Sequence, residues 1–227
     1  NDLKNQFIKF MLKVPSFGKT FICIDDKNNR DICKSKQIKN IITYGLDKNS
    51  NFRIKNILCQ KNKSYFDVEM NLPNKKKFVF KKLEIPLIGS HNVKNATAAI
   101  AVSYFIGISS NILRDSLKNF KGVERRFNKV FSFKGADIYD DYAHHPTEIN
   151  SVLEEIKKVA YKKKITSVFQ PHRFSRVNLL KKEFSKSFKF SDRVILCPVY
   201  AAGEKKTNNF NLIKFGKMIS LNSSVEV

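Results

Sequence analysis

Residues 139–149 read YDDYAHHPTEI, a stretch in which a predicted strand gives way to a predicted helix. A strand pair is expected around residues 128–141, and helical spacing of apolar residues follows over 147–161. The alternation then continues with a strand, a helix, a strand and a helix, at residues 165–170, 177–189, 193–199 and 211–220. Strands that alternate with helices predict a mostly parallel, Rossmann-like α/β sheet with helices on its faces.

The first half of the chain predicts a smaller α/β part followed by an antiparallel part. A helix, a strand, a helix and a strand are expected in turn, at residues 3–14, 20–25, 26–37 and 40–45. Residues 51–88 hold three strand-like runs separated by Lys/Asn turns, which predict an antiparallel meander. An Ala-rich helix within 89–109 is expected to be buried on most of its sides. A second helix is predicted over 109–119.

The stretch FKGVERRF at residues 120–127 is interpreted as an interdomain linker. It separates a predicted domain at 1–122 from a predicted domain at 123–227. The total length of 227 residues suits two modest domains of this kind, each large enough to bury a core. The second domain is expected to be incomplete, because the chain stops at VEV inside the alternating pattern.

Composition argues against two broad classes of function. The formal charge of +23 comes mostly from Lys scattered over many segments, whereas a dedicated nucleic-acid site would gather Arg and aromatic residues on one element. No apolar run reaches the length of a membrane span. The four cysteines lack CxxC spacing, which predicts reduced residues of a cytoplasmic protein and no zinc site.

Three polar loops are expected at the carboxyl edge of the second predicted sheet: YDDYAHHP, QPHRFSR and VYAAGE. They follow three successive strands, so we expect them to converge on one cleft. Arg173 and Arg176, three residues apart, either clamp one carboxylate or lie in a solvated loop. The stretch DDYAHHP has three functional readings: a metal site, an acid–base pair, or anchors for a charged substrate. Its structural reading is a strand that ends at Asp140 and a helix that starts at Pro146 or Thr147.

Two further stretches have a structural and a functional reading. In SHNVKNATAA, an N-cap formed by Ser90 or Asn92 is favoured over amide side chains that face a nucleotide base. In GVERRF, the Arg pair is either a surface pair on a hinge or a phosphate contact. The FGKT at 17–20 is not a phosphate loop, because Lys13 stands where its first glycine is required.

The stretches HNVKNATAA, GVERRF, DDYAHHPTEI, FQPHRFSR and VYAAGE occur in the order found in the Mur ligases, and the chain resembles that family over nearly its whole length. DDYAHHPTE together with QPHRFSR is highly specific, whereas HNxxN is shared with folate ligases. Among the family, the chain is most similar to the members that join L-alanine to UDP-N-acetylmuramate. In these enzymes ATP phosphorylates a carboxylate, and an amino acid attacks the resulting acyl phosphate.

The resemblance implies a role for each matching residue. Adenine would be contacted by His91, Asn92 and Asn95. The rest of ATP would be contacted by Arg125, Arg126 and Asp141. L-Alanine would be surrounded by Tyr142, His144, Arg173 and Arg176, of which His144 and the two arginines are the predicted catalytic residues. Residues 1–122 would be the C-terminal part of the central ATP-binding domain, and 123–227 the amino-acid domain.

The chain also departs from the family pattern. The UDP-sugar domain, the phosphate loop and the main Mg²⁺ ligands of such ligases would all lie before residue 1, so no metal ligand is assigned here. We therefore expect a fragment that is inactive alone, with small-molecule partners, a cytoplasmic location, and neither specific nucleic-acid nor membrane binding. Two other readings stay open: a ligase that attaches a recycled peptide to UDP-N-acetylmuramate, and a noncatalytic basic or regulatory module.

Overall fold

The computed structural model describes residues 2–35, 37–60, 63–160, 162–205 and 210–227. The chain divides into two compact units, residues 1–121 and residues 122–227. Each unit has its own buried apolar cluster and is described by itself. Among the helices in the described part of the chain, none is long and apolar enough to cross a membrane.

Unit 1 is built on one five-stranded sheet with four helices in its described residues. In chain order the elements are α1 (Asp2–Met11), β1 (Thr20–Cys23), α2 (Lys27–Cys33), β2 (Ile41–Gly45), β3 (Phe52–Gln60), β4 (Lys63–Met70), β5 (Phe78–Ile85), α3 (Ser90–Phe105) and α4 (Ser110–Lys118). Strands β1, β2 and β3 are parallel neighbours, and β3, β4 and β5 are antiparallel neighbours. The predicted meander is confirmed, and it continues the parallel part as a single sheet.

The core of unit 1 lies between this sheet and α3. Alternate residues of β4 are buried, including Phe66 and Val68, because successive side chains of a strand point to opposite faces. From α3, Val93 and Ile100 are fully buried against this layer, whereas Asn95 is exposed. Within α3 only Asn95, Ala99 and Val102 are exposed, which agrees with the expectation that this helix is buried on most of its sides.

Unit 2 begins with a hairpin and continues as a parallel α/β arrangement. Its elements are β6 (Asn128–Phe133), β7 (Ala136–Asp140), α5 (Pro146–Val159), β8 (Thr166–Phe169), α6 (Phe174–Leu179), α7 (Lys181–Ser185), β9 (Arg193–Leu196) and α8 (Leu212–Ser223). β6 and β7 pair antiparallel, and β8 and β9 pair parallel. The amide of Val194 donates to the carbonyl of Glu226, so the end of the chain also runs parallel to β9. The predicted mostly parallel α/β class is confirmed.

The helix predicted over 177–189 is wrong in its bounds and its continuity. The helical segment begins at Phe174 and is interrupted at Leu180, whose φ of −109° and ψ of 25° leave the helical region. Val177 and Phe184 on the two sides of the break are both fully buried. Their spacing of seven residues fits an unbroken helix equally well, so periodicity alone does not detect the interruption.

Candidate functional site

Asp141 joins the segment before β6 to the loop after β7. One carboxylate oxygen accepts a hydrogen bond from the amide of Phe127 at 2.9 Å, and the other accepts from the amide of Ala143 at 2.7 Å. The amide of Tyr142 also donates to the carbonyl of Arg125 at 2.7 Å. The predicted linker GVERRF and the DDYAHHP loop are thus held side by side within unit 2.

The same contacts place the Arg pair against an aromatic ring. The Arg125 guanidinium lies 4.8 Å from the centre of the Tyr142 ring, and that of Arg126 lies 5.9 Å from it. Arg125 Nε is also 3.5 Å from a carboxylate oxygen of Asp140. Because both arginines are exposed, their remaining N–H groups are accessible to an anionic ligand.

The two adjacent histidines have different surroundings. His145 is the N-cap of α5: its Nδ1 accepts from the amide of Thr147 at 3.3 Å, and Pro146 is the first helical residue. The Glu148 carboxylate accepts from the amides of both histidines, at 3.0 and 3.2 Å, which completes a capping box. His145 therefore caps the start of the helix, and the helix starts at Pro146, one of the two positions predicted for it.

The imidazole of His144 is available for chemistry. Its Nδ1 lies 3.0 Å from the carbonyl oxygen of Tyr142 and 3.6 Å from Oε2 of Glu148, so Nδ1 carries a proton. In the neutral form of this ring, Nε2 carries the lone pair that accepts a proton or a hydrogen bond. The ring also makes an edge contact with the Tyr142 ring, with 5.0 Å between the centroids.

The loops after β8 and β9 face each other. The amide of Arg173 donates to the carbonyl of Tyr200, and the amide of Tyr200 donates to that of Pro171, both at 2.8 Å. Ser175 donates its amide and its hydroxyl to the Glu204 carboxylate. These hydrogen bonds, with a smaller effect of the Arg173 charge, lower the pKa of Glu204. QPHRFSR and VYAAGE therefore form one polar surface.

His172 lies in this surface and was not among the predicted site residues. Its ring is 5.4 Å from the Tyr200 ring, and its Nδ1 is buried without a hydrogen-bond partner among the described residues. Burial lowers the pKa of His172, and the charges of Arg176 and Arg173 lower it further, with a smaller effect of His144. The only signal in the sequence was its position inside QPHRFSR.

Of the residues predicted for L-alanine, Tyr142 and His144 contact each other in the loop after β7, and Arg173 and Arg176 lie at the start of α6. The charge of His144 contributes to the lowered pKa of His172, so the loop after β7 lies within electrostatic range of the loop after β8. Arg173 is the N-cap residue of α6, with a φ of 67°, and Arg176 lies within that helix. Strand β7 belongs to the hairpin with β6, whereas β8 pairs with β9 in a separate sheet, so the three loops do not follow strands of one sheet as was expected.

The residues predicted for adenine lie in unit 1, in the first two turns of α3. The N-cap is Gly89, with a φ of 104°, and no side chain caps the helix. The prediction that Ser90 or Asn92 is the cap is wrong, because Asn92 uses its side-chain amide to donate to the carbonyl of Ile88 at 2.8 Å. Asn95 is exposed one turn further along.

A metal site was not predicted for this chain. Within the described ranges, no group of three or more His, Cys, Asp or Glu side chains is arranged to hold a metal ion.

Two protein-family models match the chain. The Mur ligase middle domain matches residues 1–103, and the Mur ligase, glutamate ligase domain matches residues 125–219. The two matches are consecutive and together cover most of the sequence.

Curated relatives give the same result. The chain is 54% identical over its whole length to the UDP-N-acetylmuramate–L-alanine ligase of Pelagibacter ubique, covering 49% of that protein. It is 42% identical to the ligase of the same name from Hydrogenobaculum sp., over 91% of the chain and 44% of the relative. The chain therefore spans about half the length of the curated relatives it matches.

Solved structures agree. The UDP-N-acetylmuramate–alanine ligase of Thermotoga maritima superimposes with a TM-score of 0.62 and 28% identity, over 82% of the chain and 39% of that structure. MurF of Acinetobacter baumannii gives a TM-score of 0.66 at 16% identity, over 95% of the chain and 43% of that structure, which shows a shared fold. Family models, relatives and fold agree on one conclusion: the chain belongs to the Mur ligase family.

Proposed function

We propose that this chain carries the ATP- and amino-acid-binding parts of a ligase that joins L-alanine to the carboxylate of UDP-N-acetylmuramate through an acyl phosphate. The observation that carries the proposal is that the loops after β8 and β9 are hydrogen-bonded to each other beside Arg173 and Arg176, while the charge of His144 contributes to the lowered pKa of His172 between those arginines and Pro171. Relatives that share the whole chain are named for this reaction. We place the reaction in the cytoplasm, where ATP is available.

In the amino-acid site, Arg173 and Arg176 neutralise the carboxylate of L-alanine. Guanidinium groups suit this task because they donate two parallel hydrogen bonds to one carboxylate. Tyr142 flanks the same space, and the Nε2 lone pair of His144 accepts a hydrogen bond from the amino group. The arrangement fixes both ends of a small amino acid, so catalysis consists mainly of positioning.

The chemical step requires the amino group in its neutral form. The ammonium of L-alanine first loses one proton, for which His144 is the nearby acceptor. The amine nitrogen then forms a bond to the acyl carbon, the bond from that carbon to the phosphate oxygen breaks, and the phosphate leaves with the electron pair and a second amine proton. Arg173 and Arg176 hold the nucleophile while the bond forms.

In the nucleotide site, Arg125 and Arg126 contact phosphate oxygens with their exposed N–H groups. Asp141 uses a lone pair of each carboxylate oxygen for backbone amides and retains another on each for a ribose hydroxyl. The adenine base is contacted from α3 by His91, Asn92 and Asn95. Residues 1–122 are thus the C-terminal part of the ATP-binding domain, and 123–227 the amino-acid domain.

Magnesium is expected with ATP in this family. The described residues offer no group of ligands that fits the ion, so no step is assigned to it here.

The test uses a chimaera in which residues 1–227 replace the matching segment of the Pelagibacter ubique ligase. The assay is phosphate release that depends on ATP, UDP-N-acetylmuramate and L-alanine together. In Arg173→Ala the KM for L-alanine should rise about ten- to a hundredfold, as expected for the loss of a hydrogen bond between charged groups. Arg193→Ala is the matched control, because Arg193 lies at the opposite end of β9 and pairs with Glu226.

Three outcomes would overturn the proposal. If the chimaera accepts a peptide in place of L-alanine, the chain belongs to a ligase that attaches a recycled peptide to UDP-N-acetylmuramate. Equal KM values for L-alanine in Arg173→Ala and Arg193→Ala would show that Arg173 does not bind the carboxylate of L-alanine. Binding of polyanions that falls steeply with salt, without any ATP turnover, would favour a basic binding module.

A further inference from the structure

Asp25, which follows Ile24 after the end of β1, joins the ends of two parallel strands in unit 1. One carboxylate oxygen, Oδ1, accepts hydrogen bonds from the amides of Leu46 and Asp47, at 2.8 and 3.1 Å. Both amides belong to the turn that leaves β2. A single carboxylate therefore fixes the turns at the carboxyl ends of β1 and β2.

The other oxygen of Asp25 faces the first part of α3. Lys94 Nζ lies 3.0 Å from Oδ2, and the two side chains are 28% and 16% exposed. Oδ2 is buried and has no hydrogen-bond partner within the described residues. The charge of Lys94 is thus what compensates this oxygen, because an uncompensated buried carboxylate is costly.

The backbone beside this pair leaves room for the carboxylate. A Cβ added to Gly45 would lie 2.5 Å from Asp25 Oδ1, closer than real Cβ contacts allow. Gly45 also has a φ of +142°, a conformation that residues with a side chain rarely adopt. The packing at this point is therefore specific to the Asp25 side chain.

The ion pair lies among the residues assigned to adenine. Lys94 directly precedes Asn95 and follows Asn92 by two positions, at the start of α3. The helix begins at Ser90 without a side-chain cap, and in its first turn the side chain of Asn92 donates to the backbone, at the carbonyl of Ile88. The buried residues of α3, such as Ile100, hold the helix on the sheet. The ion pair acts at the helix start instead, where the candidate nucleotide contacts are.

We propose that Lys94 is a positioning residue for the nucleotide, which through its ion pair with Asp25 fixes the first turn of α3 relative to the ends of β1 and β2. This inference rests on the proposed function, since it assumes that His91, Asn92 and Asn95 contact adenine. Lys94 itself needs no contact with ATP. Its effect is to hold the contacting side chains in the geometry that binds the base.

The first experiment compares two variants of Lys94 in the chimaera with the unchanged chimaera. Lys94→Met removes the charge and keeps the length of the side chain, and Lys94→Arg keeps the charge. We expect the KM for ATP to rise about tenfold in Lys94→Met, which corresponds to about 1.4 kcal/mol, and to stay within about threefold in Lys94→Arg. The KM for L-alanine should change less than about twofold in both.

The matched control is Lys55→Met. Lys55 pairs with Glu69 between β3 and β4, and these side chains are 37% and 24% exposed, similar to the Lys94 pair. This variant should lower the melting temperature about as much as Lys94→Met but leave the KM for ATP unchanged. A purely structural ion pair would behave alike at both sites.

A second experiment needs no activity and uses the 227-residue chain. Hydrogen exchange of the amides of residues 89–95 should accelerate in Lys94→Met and not in Lys55→Met. Unchanged exchange, or an unchanged KM for ATP in Lys94→Met, would overturn the positioning role while the proposed function stands. A chimaera that never turns over ATP would overturn the proposed function and, with it, the nucleotide role of Lys94.

Discussion

Replacing Asp141 by Ala should destabilise unit 2 strongly, although the side chain lies outside its apolar core. The carboxylate accepts two backbone hydrogen bonds, from Phe127 at 2.9 Å and from Ala143 at 2.7 Å. The variant leaves both amides without this acceptor and separates the GVERRF segment from the loop after β7.

The magnitude follows from the two contacts. A hydrogen bond to a charged group contributes about 1.5–3 kcal/mol, so two would contribute about 3–6 kcal/mol if fully buried. Asp141 is only partly buried, and water can replace part of what is lost. Halving the sum for this reason gives about 1.5–3 kcal/mol. Asp141→Asn, which keeps one acceptor oxygen, should lose about half as much.

The assay is urea unfolding followed by circular dichroism, with hydrogen exchange at the amides of Phe127 and Ala143 to localise the effect. Asp140→Ala is the matched control. That carboxylate is 48% exposed and makes one ion pair with Arg125 at 3.5 Å, so its removal should cost about 0–1 kcal/mol. Equal losses in the two alanine variants, or unchanged exchange at the two amides, would refute the reasoning.

Three further predictions follow from single contacts. Glu148→Ala should destabilise α5 by about 1 kcal/mol, because both histidine amides before the helix lose their acceptor; helix melting by circular dichroism measures this, and no loss would contradict the capping box. The pKa of His172 is lowered below 6.5, so the stability that His172 contributes is present above pH 6.5 and is lost as the pH falls through the folded-state pKa. The urea midpoint should therefore drop less from pH 7.5 to pH 5.5 in His172→Asn than in the native chain. Equal drops in the two proteins would contradict the lowered pKa. Gly45→Ala should cost more than the roughly 1 kcal/mol of an ordinary backbone substitution, because its Cβ would meet the Asp25 carboxylate; an unchanged melting temperature would count against that packing.

The order of elements was accessible from the sequence because it depends on local patterns. Alternation of apolar residues predicted the three strands over 51–88, and the structure pairs them as a meander. The hairpin around 128–141 and the parallel strands β8 and β9 followed from the same reasoning. The motifs could be placed at the ends of strands because the boundary between a strand and a loop is visible in the local sequence.

The sequence showed which residue types the candidate site contains, but not what each residue does. The sequence shows two adjacent histidines, and nothing in their spacing says which one starts a helix. In the structure Glu148 pairs with both amides, and only His145 becomes the cap, which leaves His144 to the site. His172 was not assigned for a similar reason: its lowered pKa comes from burial and from neighbouring charges that assemble only in the fold.

The sequence by itself determined the class of the fold, the order of its strands and helices, and the family to which its motifs point. The tertiary structure decided which side chains meet. Asp25 and Lys94 are far apart along the chain, yet they form one ion pair at the end of the sheet. Hydrophobic periodicity reports how a segment faces its surroundings, whereas a hydrogen bond or an ion pair requires two segments at a defined distance. That distance exists only after the sheet and the helix have packed.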